Sequence, residues 1–256
     1  MYELLAFSAF HLSIKYPWRS DVYLTESISL QAQALSIFKS ACPVINHDNL
    51  IPAFLFSGGI GLHVFCETFS GPQLDLDIFL DRLVQSIQLL RGVRVMIGGS
   101  WKAIQQSEIK CLLKAEAPLE CPDDEIVQAF RNLCTMLSRS SNLTISDKNV
   151  YLDAMEDLIL VYKSQPIDCE SSGRQSSGMV TTWPITLSAE YTELLHARKP
   201  EALIVMAHFA ILLHKERVYW AVGNAGRALL AAIEEYLGSK WVHWLFLPKH
   251  FVTVVD

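Results

Sequence analysis

A run of twelve residues, Ala202 to Leu213, is apolar at every position except His208. Pro200-Glu201 precedes it, and proline is favoured in the first turn of a helix. A helix apolar all round has only two stable homes, the centre of a protein core or a bilayer. Twelve residues fall well short of the roughly 20 needed to cross a membrane. The run therefore predicts a central core helix, and any cavity in the protein is expected to touch it. After it come Tyr219-Trp220, two spaced glycines (Gly223 and Gly226), and a second apolar run from Ala228 to Ile233. Leu237-Gly238 then supplies a helix stop, and Trp241-Val242-His243-Trp244-Leu245 with Pro248 is read as the closing segment, the proline following its last turn.

The rest of the chain also reads with helical spacing. Leu4, Leu5, Ser8, Leu12 and Tyr16 would share one face of a first helix ending before Pro17. Asp21 can cap a second helix that runs through Leu24, Ile28, Gln31, Ala32, Leu35 and Phe38. Residues 48–69 predict a buried helix, ended by Ser70-Gly71-Pro72. Leu76, Phe79, Leu80, Leu83, Ile87 and Leu90 give an amphipathic helix that leads into Arg91-Gly92. Pro122-Asp123-Asp124-Glu125 is a helix start with acids against the positive dipole end, and that helix should run to about Leu137. Another follows from Ser146-Asp147 through Tyr151, Met155, Leu158, Ile159 and Tyr162. Between Ser164 and Thr182 the pattern breaks in a Ser/Gly-rich stretch, read as a flexible surface loop. The expectation is an all-α fold: a single large helical domain over 1–256 with a hydrophobic pocket.

Composition removes several function classes. The net charge is −6 and no run of lysines and arginines occurs, so direct nucleic-acid binding by this chain is not expected. No secretory signal is evident at Met1, and the chain reads as intracellular, nuclear or cytoplasmic, without a membrane span. Its six cysteines (42, 66, 111, 121, 134 and 169) are scattered with no C-x-x-C pair. They read as small buried thiols, with no metal site and no cofactor. Ser57-Gly58-Gly59-Ile60-Gly61 lacks the preceding strand and following lysine of a phosphate loop and reads as close helix packing. The acid groups at Asp75, Asp77 and Asp81 and at 123–125 sit at helix starts, where acids serve as caps and dipole partners.

A polar group inside an apolar cavity is what orients a ligand's hydroxyl or carbonyl. His208 in the core run and His63 in the other apolar segment are the candidates for that role. Phe209 and Leu212 beside His208, and the pocket-rim aromatics Trp220 and Trp244, complete the candidate ligand-binding set. No nucleophile–base pairing or G-x-S-x-G elbow can be argued, so no catalytic residue is assigned.

A longer series resembles a known family: Trp183-Pro184, Tyr191, Leu194-Leu195, the continuous stretch Pro200 to His214, Trp220, Gly223, Leu229-Leu230, Ile233, Leu237-Gly238, Trp241, Trp244-Leu245 and Pro248. It is similar to the C-terminal regulatory domain of fungal zinc-cluster transcription factors of the sterol-uptake-control type. The N-terminal half agrees through residues 4–12, Tyr23, Gln31 to Phe38, Phe54 to Ser57 and Leu90-Arg91-Gly92-Val93. The resemblance implies an all-α, often dimeric domain whose hydrophobic pocket senses a sterol or similar lipid, and a homodimer is the implied assembly. The family's six-cysteine DNA-binding module is absent from this sequence. Two readings follow. One is a regulatory domain that binds a lipophilic small molecule, preferred on the resemblance. The other is a stand-alone, cofactor-independent cyclase or pericyclase acting on a terpenoid or polyketide-like intermediate of secondary metabolism, which would need a shaped cavity and little acid–base machinery.

Overall fold

In the computed structural model, which describes residues 1–41, 48–70, 75–97, 104, 106–111, 124–164 and 178–253, every regular element is helical and no strand occurs among the described residues. Contacts group the chain into two compact units: Met1–Ser70 with Gln88–Ala115, and Gly71–Ile87 with Glu116–Asp256.

The first unit is built on three long helices, α1 (Tyr2–Lys15), α2 (Ser20–Ala41) and α3 (Leu50–Ser70). A single turn of 3-10 helix, Pro17–Arg19, joins α1 to α2, which pack as a hairpin. The inward face of α1 is not the expected one. On α1 the buried residues are Glu3, Ala6, Ala9, Phe10 and Ser13, while Leu4 and Leu5 are exposed. On α2 they are Ser27 and Ala34, while Ile28 and Leu35 face solvent. Small residues set this choice: Ala6, Ser13, Ser27 and Ala34 let the two backbones approach, and Ser27 Oγ donates to the Ala6 carbonyl at 2.9 Å. Asp21 lies inside the first turn of α2 instead of capping it.

α3 forms as one unbroken helix through Gly58, Gly59 and Gly61. Gly61 is a packing position, since a Cβ there would stand 2.7 Å from Leu90 Cδ2. Leu90 belongs to α4 (Leu76–Ile97), which continues past the expected stop at Gly92. Among the described residues α3 alone is long and apolar enough to cross a membrane. Its buried His63, bonded to residues of α1 and α2, is a core feature. The thiol of Cys66, also on α3, is buried and pushed up to about 12 by loss of hydration, then by Glu67, so it stays a protonated packing group.

Among the described residues the second unit comprises Leu76–Ile87 of α4 and seven helices: α5 (Glu125–Arg139), α6 (Ile145–Lys163), α7 (Gly178–Thr186), α8 (Ala189–His196), α9 (Pro200–Lys215), α10 (Ala225–Leu237) and α11 (Val242–Thr253). α9 is the predicted central helix. Every residue from Ala202 to His214 is buried, and α6, α8, α10 and α11 all pack on it. Fully burying one large apolar side chain contributes roughly 1.5–3 kcal/mol, so this helix anchors the unit. Expected starts are found: Asp124 caps α5, accepting from the Ile126 and Val127 amides at 3.0 and 2.9 Å, and Pro200 opens α9. Asp123 and Pro122 lie outside the described residues.

Other boundaries differ. α6 is capped by Thr144, whose hydroxyl accepts from the Asp147 amide at 3.1 Å. Residues 178–182, expected in the flexible loop, are the first turn of α7. Pro248 lies inside α11, where its ring is buried and the bond its missing N–H would have made to the Trp244 carbonyl is lost.

Candidate ligand-binding clefts

His63 is fully buried near the middle of α3. Its Nδ1 is 3.0 Å from Glu3 Oε1 and 3.0 Å from Gln31 Nε2. Its Nε2 is 3.2 Å from Ser27 Oγ and 3.4 Å from Glu67 Oε1. Ser27 gives its own proton to the Ala6 carbonyl, so it accepts from Nε2–H. Nδ1 can serve one of its two neighbours at a time, as an N–H toward Glu3 or as an acceptor from Gln31. The rings of Phe7 and Phe10 close over the imidazole at 5.4 and 5.3 Å. Glu3 Oε2 is buried and has no hydrogen-bond partner. A buried polar atom left unmet costs about 1–3 kcal/mol, more when it carries charge.

Glu3 also lines a cleft of about 290 Å³ formed by α1, α2 and the start of α3. Its walls are Met1, Tyr2, Ala34, Ile37, Phe38 and Phe56, with Asn49 and Pro52. Phe38 and Phe56 stack face to face, ring centres 4.3 Å apart. The lining is apolar apart from Glu3, Asn49 and the tyrosine hydroxyl, the make-up expected of a small-molecule site.

In the second unit His208 lies at the heart of α9 and is 1% exposed. Its Nδ1–H donates to the Ile204 carbonyl at 2.8 Å, one turn back, and Phe130 meets the ring edge-on at 6.1 Å. Loss of hydration pushes it down to about 4, against the smaller opposing effect of that carbonyl, so the ring is neutral at physiological pH. Phe209 stacks on Trp183 at 4.6 Å, and Leu212 is wholly buried. Trp220 is half-buried against Tyr219, and Trp244 is half-buried between Trp241 and His243.

The six sequence-selected residues are thus divided. His63 belongs to the first unit and the other five to the second. None of them lines the 290 Å³ cleft or the cleft described next. The expectation that any cavity touches the core helix holds for this next cleft, at the helix's last turn and by different residues, and fails for the 290 Å³ cleft.

That second cleft, of about 340 Å³, is walled by Ile126 of α5, Tyr162 of α6, Ile211, His214 and Lys215 of α9, and Phe251 of α11, with Asp124, Glu125 and Arg217 at its polar side. Lys215 Nζ donates to Tyr162 Oη at 3.0 Å and sits 4.6 Å over the same ring. Tyr162 donates onward to Asp124 Oδ2 at 2.5 Å. Arg217 Nη1 donates to the His214 carbonyl at 3.2 Å.

The acids at the start of α4 have a structural task. Asp75 caps that helix, accepting from the Asp77 amide at 2.8 Å. Asp77 and Asp81 grip Arg198, at 2.9 Å from its Nε and 2.8 Å from its Nη2. Arg198 is held at φ 55°, a left-handed conformation uncommon for a side-chain-bearing residue. The hydrogen bond from Arg198 holds the Asp81 carboxyl below its usual value. Among the described residues no three His, Cys, Asp or Glu side chains converge as metal ligands.

Sequence reasoning missed Glu3, Phe38 and Phe56 as site residues, along with Tyr162, Lys215 and Arg217. A signal for the first existed: Glu3, Phe7 and Phe10 stand at i, i+4 and i+7, which places one acid on an aromatic face of α1.

No family model matches the chain, and no solved structure does. The chain is 26% identical over 176 residues to a Zn(2)-C6 fungal-type transcription factor of Gibberella zeae, an alignment covering 65% of this chain and 34% of that protein. It therefore spans about a third of the length of the curated relative it matches. With its all-α architecture, that similarity marks the chain as a fungal-transcription-factor-like protein.

Proposed function

We propose that this chain is a regulatory, ligand-sensing domain and that its ligand is a lipophilic small molecule seated in the cleft between α1, α2 and the start of α3. The observation that carries the reading is Glu3. The one buried side-chain polar atom without a hydrogen-bond partner among the described residues is its Oε2, and the same residue lines an otherwise apolar cleft. A ligand hydroxyl would supply the missing donor while its hydrocarbon body covers Phe38, Phe56 and Ile37.

The network behind Glu3 makes such binding legible to the rest of the unit. When a ligand draws the Glu3 carboxyl toward itself, the Nδ1 proton leaves with that carboxyl and the freed lone pair accepts from Gln31 Nε2, which already stands 3.0 Å away. The imidazole keeps a partner at each nitrogen in both arrangements. Glu3 is on α1, Gln31 on α2 and His63 on α3, so the exchange reaches all three helices.

Size restricts the ligand. A volume of about 290 Å³ equals roughly ten waters of liquid, so a sterol enters by one end only and a smaller terpenoid alcohol fits more fully. Native mass spectrometry of the whole chain with a sterol and a sesquiterpene alcohol tests the proposal. One ligand per chain, recovered unchanged and lost in Ile37→Arg and Phe56→Ala, is the expected result. Ile37 is half exposed, so its replacement leaves the fold intact. Binding indifferent to both variants, or recovery of an isomerised compound, overturns the sensing role for this cleft.

A further inference from the structure

The cleft at the end of α9 carries a different chemistry. Its floor is apolar, made by Ile126, Ile211 and Phe251, and its polar side holds two cations, Lys215 and Arg217. Neither cation is spent. Lys215 uses one of three N–H donors on the Tyr162 hydroxyl, and Arg217 uses one of five on the His214 carbonyl. No described carboxylate forms an ion pair with either.

The acids nearby are otherwise occupied. Asp124 commits Oδ1 to the Ile126 and Val127 amides and Oδ2 to the Tyr162 hydroxyl. Glu125 is exposed at the rim. Glu216, next to Lys215, is half-buried, and loss of hydration raises its carboxyl above the usual value. The two carboxylates and two cations of the cleft balance in charge, but only Lys215 and Arg217 bring N–H donors that no side chain takes up.

We propose that this cleft binds an amphipathic carboxylic acid, its carboxylate held by Lys215 and Arg217 and its apolar body lying on Ile126, Ile211 and Phe251. A carboxylate is the right head group because it accepts from several donors at once, and Arg presents a planar fork that matches its two oxygens. The volume, about 340 Å³, equals roughly eleven waters, which suits a body of medium chain length or one aromatic ring system. Tyr162 takes no part in the grip: its proton goes to Asp124, and it positions Lys215 by accepting one N–H beneath the ammonium. The site lies wholly within the second unit and is independent of the cleft that Glu3 lines.

Isothermal titration of the whole chain with octanoate, octanol and octylamine tests this directly. Octanoate is expected to bind at one per chain, roughly tenfold or more tighter than octanol, with octylamine weakest. The preference should fall with added salt, as a partly exposed charge contact requires. In Lys215→Met with Arg217→Met, both at exposed positions, octanoate should drop to the level of octanol while the helical circular dichroism is unchanged. Glu125→Gln should tighten octanoate by removing the like charge at the rim. The proposal is overturned if octanoate binds no better than octanol, or if the double variant leaves its affinity intact. It is also overturned if Ile37→Arg abolishes octanoate binding, since the acid would then occupy the other cleft.

Discussion

His208 shows how a polar residue can look like a ligand contact and be a satisfied part of a core. Its i−4 carbonyl takes the Nδ1 proton, and the surrounding helix removes its hydration. The folded-state value of about 4 lies below the ordinary 6.5, so the unfolded chain holds an extra proton between the two. Stability is complete above pH about 6.5 and falls as the pH drops toward 4, by ~3 kcal/mol from this group. Urea titrations across that interval should show the slope, and His208→Leu should flatten it. A slope unchanged in the variant would assign the acid sensitivity to other groups. For His63 the sequence offered only a histidine among apolar neighbours. Three of its four partners come from two other helices and the fourth from the next turn of its own, and no spacing in the chain announces the meeting of the three helices.

At the scale of elements, glycine marks where helices touch by backbone. A Cβ at Gly226 would lie 2.6 Å from the Ala210 carbonyl oxygen and 2.8 Å from the His214 amide. Alanine favours a helix by up to about 1 kcal/mol over glycine, but here the obstacle is backbone that cannot step aside. Gly226→Ala is therefore expected to destabilise by at least ~2 kcal/mol. Gly58, inside α3, has nothing within 4 Å of the same construction, so Gly58→Ala should stabilise by up to ~1 kcal/mol. Opposite shifts in thermal midpoint would separate packing from propensity, and shifts of one sign would refute the distinction. The all-apolar α9 was legible in the sequence because no other placement is stable for it. The face of α1 was not, because Leu4, Leu5, Phe7, Phe10 and Leu12 leave apolar residues on every side. There the short side chains of Ala6, Ala9 and Ser13 decided which face could come close to α2, and hydrophobic periodicity does not weigh them.

For the whole molecule the charge balance is the strongest constraint. With a net charge of −6 and its cations dispersed, the chain is expected to repel a phosphate backbone. A labelled DNA duplex should migrate unretarded with the purified chain even at low salt; a salt-sensitive shift would refute this. The all-α fold of the described residues was readable in the sequence, because helical spacing and stop signals recur along it. The two clefts were not, since each is assembled from short contributions of helices distant in sequence. Glu3 reaches Phe56 across more than fifty residues, and Asp124 reaches Phe251 across more than a hundred.

The stack of Trp183 on Phe209 has an optical consequence. Trp183 is fully buried, gives its indole N–H to the Ala154 carbonyl at 2.8 Å, and lies against the residue that follows His208. Trp18, by contrast, is 78% exposed. An indole so enclosed emits at the blue edge of the protein's fluorescence and is shielded from a soluble quencher such as iodide. The centre of α9 thus lies against a chromophore supplied by α7, one that registers water reaching the core without any label being attached.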